Sequence, residues 1–159
     1  MKRIILIMSL ILFSFNTFAL SQQEKNDLIF MYQEEKLAHD VYAQFYKIYN
    51  NKVFGNIAKS ELKHMSEIEN LLKYYKIEVP NLKEGEFQNK ELQKLYLDLL
   101  NQGKKSKVEA FKVGVLIEDK DILDLNKSIK ISSKEIQNVY KNLLKGSENH
   151  KNAFLKQLK

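Results

Sequence analysis

Carboxylates and imidazoles recur at helical spacing in four separate stretches of this sequence. Glu61 and His64 lie three residues apart, so on a helix they share one face. The candidate ligands are Glu35, Glu61, His64, Glu118, Asp121 and His150. Four helices that turn carboxylates and histidines into one interior are typical of bundles that hold a pair of iron or manganese ions. The pattern therefore predicts a metal site of one or two such ions.

Two of the candidates interrupt apolar helical stripes, where a charged side chain is costly unless it is paired or bound to metal. Glu61 lies between Ile57 and Ile68, and Glu118 occupies the same kind of position on a later helix. The four candidate carboxylates carry four negative charges, which two divalent ions would balance. Without metal, the carboxylates would repel one another and some would take up protons.

A plainer interpretation of these groups stays open. His64 could be a hydrogen-bonded core histidine. Glu118 could begin an exposed acidic patch that continues with Asp119, Asp121 and Asp124. The chain would then be a non-catalytic bundle with a hydrogen-bonded polar interior, serving a binding or structural role.

Periodicity alone does not decide which residue of the first helix is the candidate ligand. Glu34 and Glu35 are adjacent, so at most one of them points squarely inward. Counted from the turn near Asn51, Glu35 lies deeper along its helix than Glu61 does along the next. His39 matches that depth better, so it is kept as a further ligand or as a hydrogen-bond donor to Glu35.

Four long helices and one short helix are predicted to position these residues. Three Ser-x-x-Glu sequences mark helix starts as capping boxes. They are Ser21 with Glu24, Ser106 with Glu109, and Ser132 with Glu135. The helices are predicted over residues 22–49, 53–75, 90–100, 107–125 and 133–157.

The connections between these helices predict the fold. Pro80 and Gly85 are expected to end the second helix, and Gly103 to close the short one. Two short links and one long one give an all-α, ferritin-like four-helix bundle whose long crossover carries a short extra helix. Gly114 and Gly146 lie inside helices, where they indicate either close helix approach or a π-bulge near the ligands.

The N-terminal segment is predicted to be a signal peptide spanning residues 1–19. Lys2 and Arg3 precede an apolar run over residues 4–15, and Thr17 and Ala19 are small residues at a cleavage site. The run is short for a membrane span, so the mature chain, residues 20–159, is expected to be exported to the periplasm or secreted, with no membrane span.

Composition indicates which partners the chain could have and what could stabilise its fold. After loss of Lys2 and Arg3, 24 basic and 20 acidic residues remain, and they are interspersed. This mixture predicts a solvated surface and no nucleic-acid partner. The chain has no cysteine, so helix packing and metal must replace disulfides. A homodimer is one assembly that the sequence leaves open.

Several segments closely resemble a family known as domain of unknown function 2202, which is regarded as ferritin-like. They are EEKLAHDVY (34–42), NIAKSELKHM (56–65), GEFQNKELQKLYLDLL (85–100), KVGVLIEDKDILDL (112–125) and VYKNLLKGSENHKNAF (139–154). The resemblance covers nearly the whole mature chain and implies an iron- or manganese-binding bundle.

More distantly, the pattern is similar to the di-iron domain of rubrerythrin. That resemblance favours Glu35 over Glu34 and implies a supporting role for Tyr42, which would hydrogen-bond a ligand carboxylate. It also shows one departure, because Ser147 stands where a second Glu-x-x-His pair, ending at His150, should begin. Without the cysteines of a rubredoxin module, peroxidase- or ferroxidase-like chemistry would need an external electron donor.

Overall fold

The computed structural model describes residues 20–159, so the predicted signal peptide lies outside the described residues. This part of the chain contains five helices and no strand, which confirms the all-α prediction. The helices are α1 (Gln22–Tyr49), α2 (Lys52–Tyr74), α3 (Lys90–Gly103), α4 (Lys107–Ile131) and α5 (Lys134–Gln157). None of the helices in this part is long and apolar enough to cross a membrane.

Helices α1 and α2 form a hairpin because two asparagines fit its tight turn. Asn50 adopts the left-handed conformation, with φ of 48°, and its N–H donates to the Tyr46 carbonyl. Asn51 then caps α2, since its side chain accepts a hydrogen bond from the Val53 N–H at 2.9 Å. Helices α4 and α5 form the second hairpin across Ser132 and Ser133.

Contacts between the hairpins give the helix directions. Tyr42 of α1 reaches Glu118 of α4, whereas Asp27, nearer the start of α1, meets Ser128 near the end of α4. Helices α1 and α4 are therefore antiparallel, and α2 and α4 run in the same direction. The long connection carries α3, which packs on α1 and α4.

Helix α1 is buried around its whole circumference over residues 31–38. Helices α2 and α4 and the crossover surround it, so even Lys36 is 4% exposed. The Lys36 ammonium pairs with Asp40, donates to the Lys83 carbonyl and lies over the Phe87 ring. This pairing offsets the cost of burying the charge and fastens the crossover to α1.

Two apolar clusters lie on either side of the predicted ligands. One contains Phe45, Phe54 and Phe154 and is nearest the α1–α2 turn. The other contains Leu28 and Tyr140 and lies toward the opposite end of the helices. The predicted ligands occupy the level between these clusters, where the helices are held in place from both ends.

Some predicted boundaries are wrong. Helix α4 continues past Leu125 to Ile131, because buried Ser128 keeps it in contact with α1 through Asp27. Helix α2 ends at Tyr74, within one residue of the predicted end, so Pro80 lies beyond the helix and is not what ends it. Its last turn closes through Lys76, with φ of 56°, whose neighbour Ile77 donates to the Leu72 carbonyl.

The capping prediction holds in full only for the box of Ser21 and Glu24, where both reciprocal hydrogen bonds form. Ser106 caps α4, with no reciprocal bond from Glu109. The third box is wrong, because Ser132 instead donates to the Ser128 carbonyl at the end of α4.

Ser133 occupies the cap position of α5 and makes no side-chain capping bond. Its N–H donates to Glu24 at 2.9 Å, so a carboxylate of α1 satisfies it. Gly103 is the last residue of α3 rather than a terminator beyond it. A Cβ there would lie 2.0 Å from Phe45, so the glycine permits close helix packing.

Candidate metal centre

Glu61 lies at the centre of a buried cluster and links two groups of ligand atoms. One group combines it with Glu35 and His64, and the other with Glu118 and His150. Each group offers two carboxylates and one imidazole whose ligand atoms lie within 4.8 Å of one another. A carboxylate shared by two such groups is compatible with a pair of metal ions held between facing helices.

The two histidines present the same ring atom to this carboxylate. His64 Nδ1 lies 2.7 Å from one Glu61 oxygen and 3.1 Å from Glu35 Oε2. His150 Nδ1 lies 2.8 Å from the other Glu61 oxygen and 3.8 Å from Glu118 Oε2. The rings stack with centroids 5.5 Å apart. Glu35 therefore lies level with His64, which removes the depth mismatch expected from counting residues.

Several ligand atoms have no hydrogen-bond partner among the described residues, although they are buried. They are Glu35 Oε1, Glu61 Oε1, Asp121 Oδ1 and His150 Nδ1. Glu61 Oε1 and His150 Nδ1 are close to each other, yet their angles do not make a hydrogen bond. Convergent acceptor atoms of this kind suit a cation, and carboxylate oxygens with imidazole nitrogens fit iron or manganese.

A second layer of side chains holds the ligands in position. The Tyr42 hydroxyl donates to Glu118 at 2.7 Å, as the resemblance to rubrerythrin implied. His150 Nε2 lies 2.9 Å from the Ser60 hydroxyl, which leaves Nδ1 facing the cluster. The Ser147 hydroxyl donates to Asp121. Partners on the far side of a ligand fix its orientation and tune its basicity.

Electrostatics in the metal-free cluster follow from burial and crowding. Burial raises the pKa of Glu35 to about 8, and it raises the pKa values of Glu118 and Asp121 well above their usual range, with neighbouring carboxylates adding to the effect. Burial opposes ionisation of Glu61 too, but the close approach of the His150 and His64 imidazoles outweighs it and lowers the pKa of Glu61 to about 2. Although burial acts against the imidazolium, hydrogen bonds to Glu35 and Glu61 raise the pKa of His64 to about 11.

The two glycines within helices near the cluster allow side chains of neighbouring helices to approach closely. A Cβ on Gly146 would lie 2.5 Å from His64 Nε2, so only glycine leaves room for that ring. A Cβ on Gly114 would lie 2.7 Å from the Phe154 ring, which makes this position one of packing. Both lie in continuous α-helix, so the π-bulge alternative is wrong.

The structure brings together five of the six predicted ligands in the two groups. Asp121 lies beside them and pairs with Ser147 rather than joining either group. Glu34 turns away from the cluster to pair with Lys120. His39 lies outside both groups, and its Nδ1 lies 2.8 Å from the Ala58 carbonyl rather than near Glu35.

Sequence reasoning missed Ser60, which is adjacent to Glu61 and therefore points to a different side of α2. Nothing in its spacing marks a contact with α5, because that contact depends on how the two helices cross.

Comparison with known proteins identifies the family of the chain and one relative of known structure. A family model described as "Uncharacterized protein domain (DUF2202)" matches residues 24–159. The uncharacterized protein MJ0754 of Methanocaldococcus jannaschii is 46% identical over 142 residues, covering 87% of this chain and 77% of that protein. A crystal structure of hypothetical protein MJ0754 from Methanococcus jannaschii has a TM-score of 0.85, covering 87% of this chain and 81% of that one.

Proposed function

The chain belongs to the DUF2202 family, and we propose that it is an exported ferritin-like protein that binds one or two iron or manganese ions between its helices. We further propose that the ions support redox chemistry with peroxide or dioxygen. The antiparallel hairpins and the long crossover through α3 support the ferritin-like assignment. Export rests on the N-terminal sequence, and mass spectrometry of exported protein that begins at Leu20 would support it.

One observation carries the proposal: Glu61 lies between two histidines that both turn Nδ1 toward it, inside a ring of buried carboxylates. Glu61 is 1% exposed, so its charge is shielded from water. Such concentrations of acidic groups are costly in a core and are retained where a cation offsets their charge.

The ligand roles follow from the distances. Glu35 and His64 would hold one ion, Glu118 and His150 the other, and Glu61 would bridge them. Bound iron or manganese would supply electrons by changing its oxidation state. Tyr42 holds Glu118 in its ligand orientation, and the surrounding apolar clusters exclude water. The chain has no cysteine to bind an iron–sulfur or rubredoxin centre, so an external electron donor would complete a catalytic cycle.

A second function is favoured by the contacts within the polar core. His64, His150, Ser147 and Tyr42 each pair with a carboxylate of the cluster. Such a network holds together without an ion, so the alternative is a non-catalytic helical bundle with a binding or structural role.

Metal content separates the two functions. We expect the purified protein, loaded with Fe²⁺ or Mn²⁺ without oxygen, to retain one or two ions per chain after desalting. The double variant Glu61→Ala with His64→Ala should retain none, whereas His39→Ala should bind normally, because that histidine lies outside the cluster. Full stoichiometry in the double variant, or no metal in the natural protein, would favour the structural alternative.

A further inference from the structure

A cleft between α1, α3 and α4 reaches the buried cluster from the crossover side. Its inner end is formed by acidic residues of the candidate metal centre, including Glu35, Glu61, Glu118 and Asp121. The crossover helix therefore covers one side of the site and borders a passage into it.

The walls of this cleft are apolar. Helix α3 contributes Leu92, Leu95 and Leu99, and α4 contributes Leu116 and Ile117. Leu92 and Leu99 are buried, Leu95 is half-buried, and Leu116 is 52% exposed, so the leucines extend from the interior to the surface. A hydrated ion that passed them would lose water without gaining polar partners, whereas a small neutral molecule would incur a much smaller cost of desolvation.

The polar residues along the cleft short of the ligands neutralise each other. Glu34 pairs with Lys120, whose ammonium also contacts Asp124. The Lys120 side chain is 37% exposed and the Glu34 side chain 6%, so this pair extends from the surface to the wall. The paired charges therefore offer no net charge that would attract an ion along this path.

We propose that the cleft is the access route for a small uncharged oxidant, dioxygen or hydrogen peroxide, and that ions reach the centre by another path. This inference rests on the proposed function, since it assigns the path by which the oxidant reaches the same site. Hydrogen peroxide that gains two electrons and two protons becomes two water molecules, and dioxygen that gains the same becomes hydrogen peroxide.

Single cysteines on α3 test the route without any activity measurement, because the natural chain contains no cysteine. Leu99→Cys places a thiol in the cleft wall. Leu100→Cys is the matched buried control, since Leu100 is 8% exposed compared with 5% for Leu99 and does not border the cleft. Leu97→Cys is the exposed control, since Leu97 is 52% exposed.

Each thiol would be reacted with neutral methyl methanethiosulfonate and with its trimethylammonium and sulfonate analogues. For Leu99→Cys, we expect the ratio of neutral to charged labelling rates to exceed that of Leu97→Cys at least about tenfold, which is about 1.4 kcal/mol. Leu100→Cys should react with none of them. Equal selectivity at positions 99 and 97, or a cysteine at 99 as unreactive as that at 100, would overturn the proposal. If Leu99→Cys fails to fold, Leu92→Cys provides the same test.

Filling the cleft distinguishes the two oxidants. Leu95→Trp should slow oxidation of bound Fe²⁺ while leaving its stoichiometry unchanged, and the exposed variant Leu97→Trp should do neither. If oxidation by both oxidants is slowed, both use the cleft. If oxidation by only one is slowed, that oxidant alone uses the cleft. No slowing with either overturns the proposal.

The two proposals fail in distinguishable ways. A protein that binds no metal but keeps the selective labelling would contradict the proposed function and leave a route for small neutral molecules. Unselective labelling of a protein that binds metal would contradict the route alone.

Discussion

At the scale of single residues, the centre depends on how Glu61 divides its two oxygens. Each oxygen faces a different histidine, so one side chain joins ligands from all four long helices. Its removal would separate the two groups and leave two imidazoles and several buried carboxylates without their common partner. Changes to the residues that position the two imidazoles should therefore affect metal binding, as changes to the ligands do.

Gly146→Ala should weaken metal binding without touching a ligand. The added Cβ would displace the His64 ring, so we expect Mn²⁺ affinity to fall about 10- to 100-fold, as it does when supporting residues of metal sites are changed. Gly114→Ala is the matched control, since its Cβ meets Phe154 instead. It should cost about 1–3 kcal/mol of folding stability and spare the affinity. Calorimetric titration and urea unfolding of both variants provide the measurements, and equal affinities would contradict this role of Gly146.

Ser147 should make the two ion positions unequal. It is 1% exposed and faces Asp121, so it occupies a ligand-facing position without supplying a ligand for a hard cation. We expect sequential loading, with the ion near Glu61 and His64 held more tightly than the one near His150. Ser147→Glu should strengthen the weaker position, provided that the side chain fits beside Gly146.

Calorimetric titration with Mn²⁺ measures both positions, and Ser147→Gln is the control of similar size without charge. Two equal positions in the natural protein, or equal gains in both variants, would show that Ser147 does not stand in a vacant ligand position.

Sequence alone predicts candidate ligands on helices that have one buried face and one exposed face. Glu61 and Glu118 interrupt apolar stripes on helices with one buried face, so periodicity marks them. Helix α1 gives no such signal, because residues 31–38 are buried on every side. Periodicity therefore cannot separate Glu34 from Glu35. The partner of Glu34 is Lys120 on α4, a contact that only the packing of the helices creates.

At the scale of helices, the serine caps are not equivalent. Ser21→Ala should cost about 1 kcal/mol of stability, because Ser21 accepts a bond from the Glu24 N–H and anchors a complete capping box. Ser133→Ala should cost little, because the Ser133 side chain makes no capping bond. Chemical denaturation of the two variants tests the difference, and equal losses would show that the box contributes nothing.

Helix ends are the part of the fold that the sequence predicts least well. The helix predicted to end at Leu125 continues to Ile131, where Ser128 donates a hydrogen bond to Asp27 of α1 across the interface. Likewise, the sequence predicts Ser132 as the cap of α5, yet Ser133 takes that position, and its contact with Glu24 depends on how the start of α1 meets the turn between α4 and α5. Local sequence is compatible with several possible helix ends, and contacts with other helices determine which of them forms.

At the scale of the whole molecule, metal should stabilise the fold. An ion that binds only the folded chain adds about 2.7 kcal/mol when its concentration is 100 times its dissociation constant. We expect Mn²⁺ to raise the unfolding temperature, a chelator to lower it again, and His64→Ala to abolish the difference. Thermal scans by circular dichroism measure this effect. An unfolding temperature that changes with neither Mn²⁺ nor the chelator would contradict metal binding at the centre.

The hairpin of α1 and α2 contains one complete ligand group, Glu35 with Glu61 and His64, all within 30 consecutive residues. The second group needs Glu118 and His150 as well, which lie far along the chain. Contacts between near neighbours close smaller loops and form sooner during folding than distant ones. If the first group also binds its ion more tightly, as proposed above, we expect the hairpin of α1 and α2 to capture an ion before the second hairpin docks, and the bound ion to guide that docking.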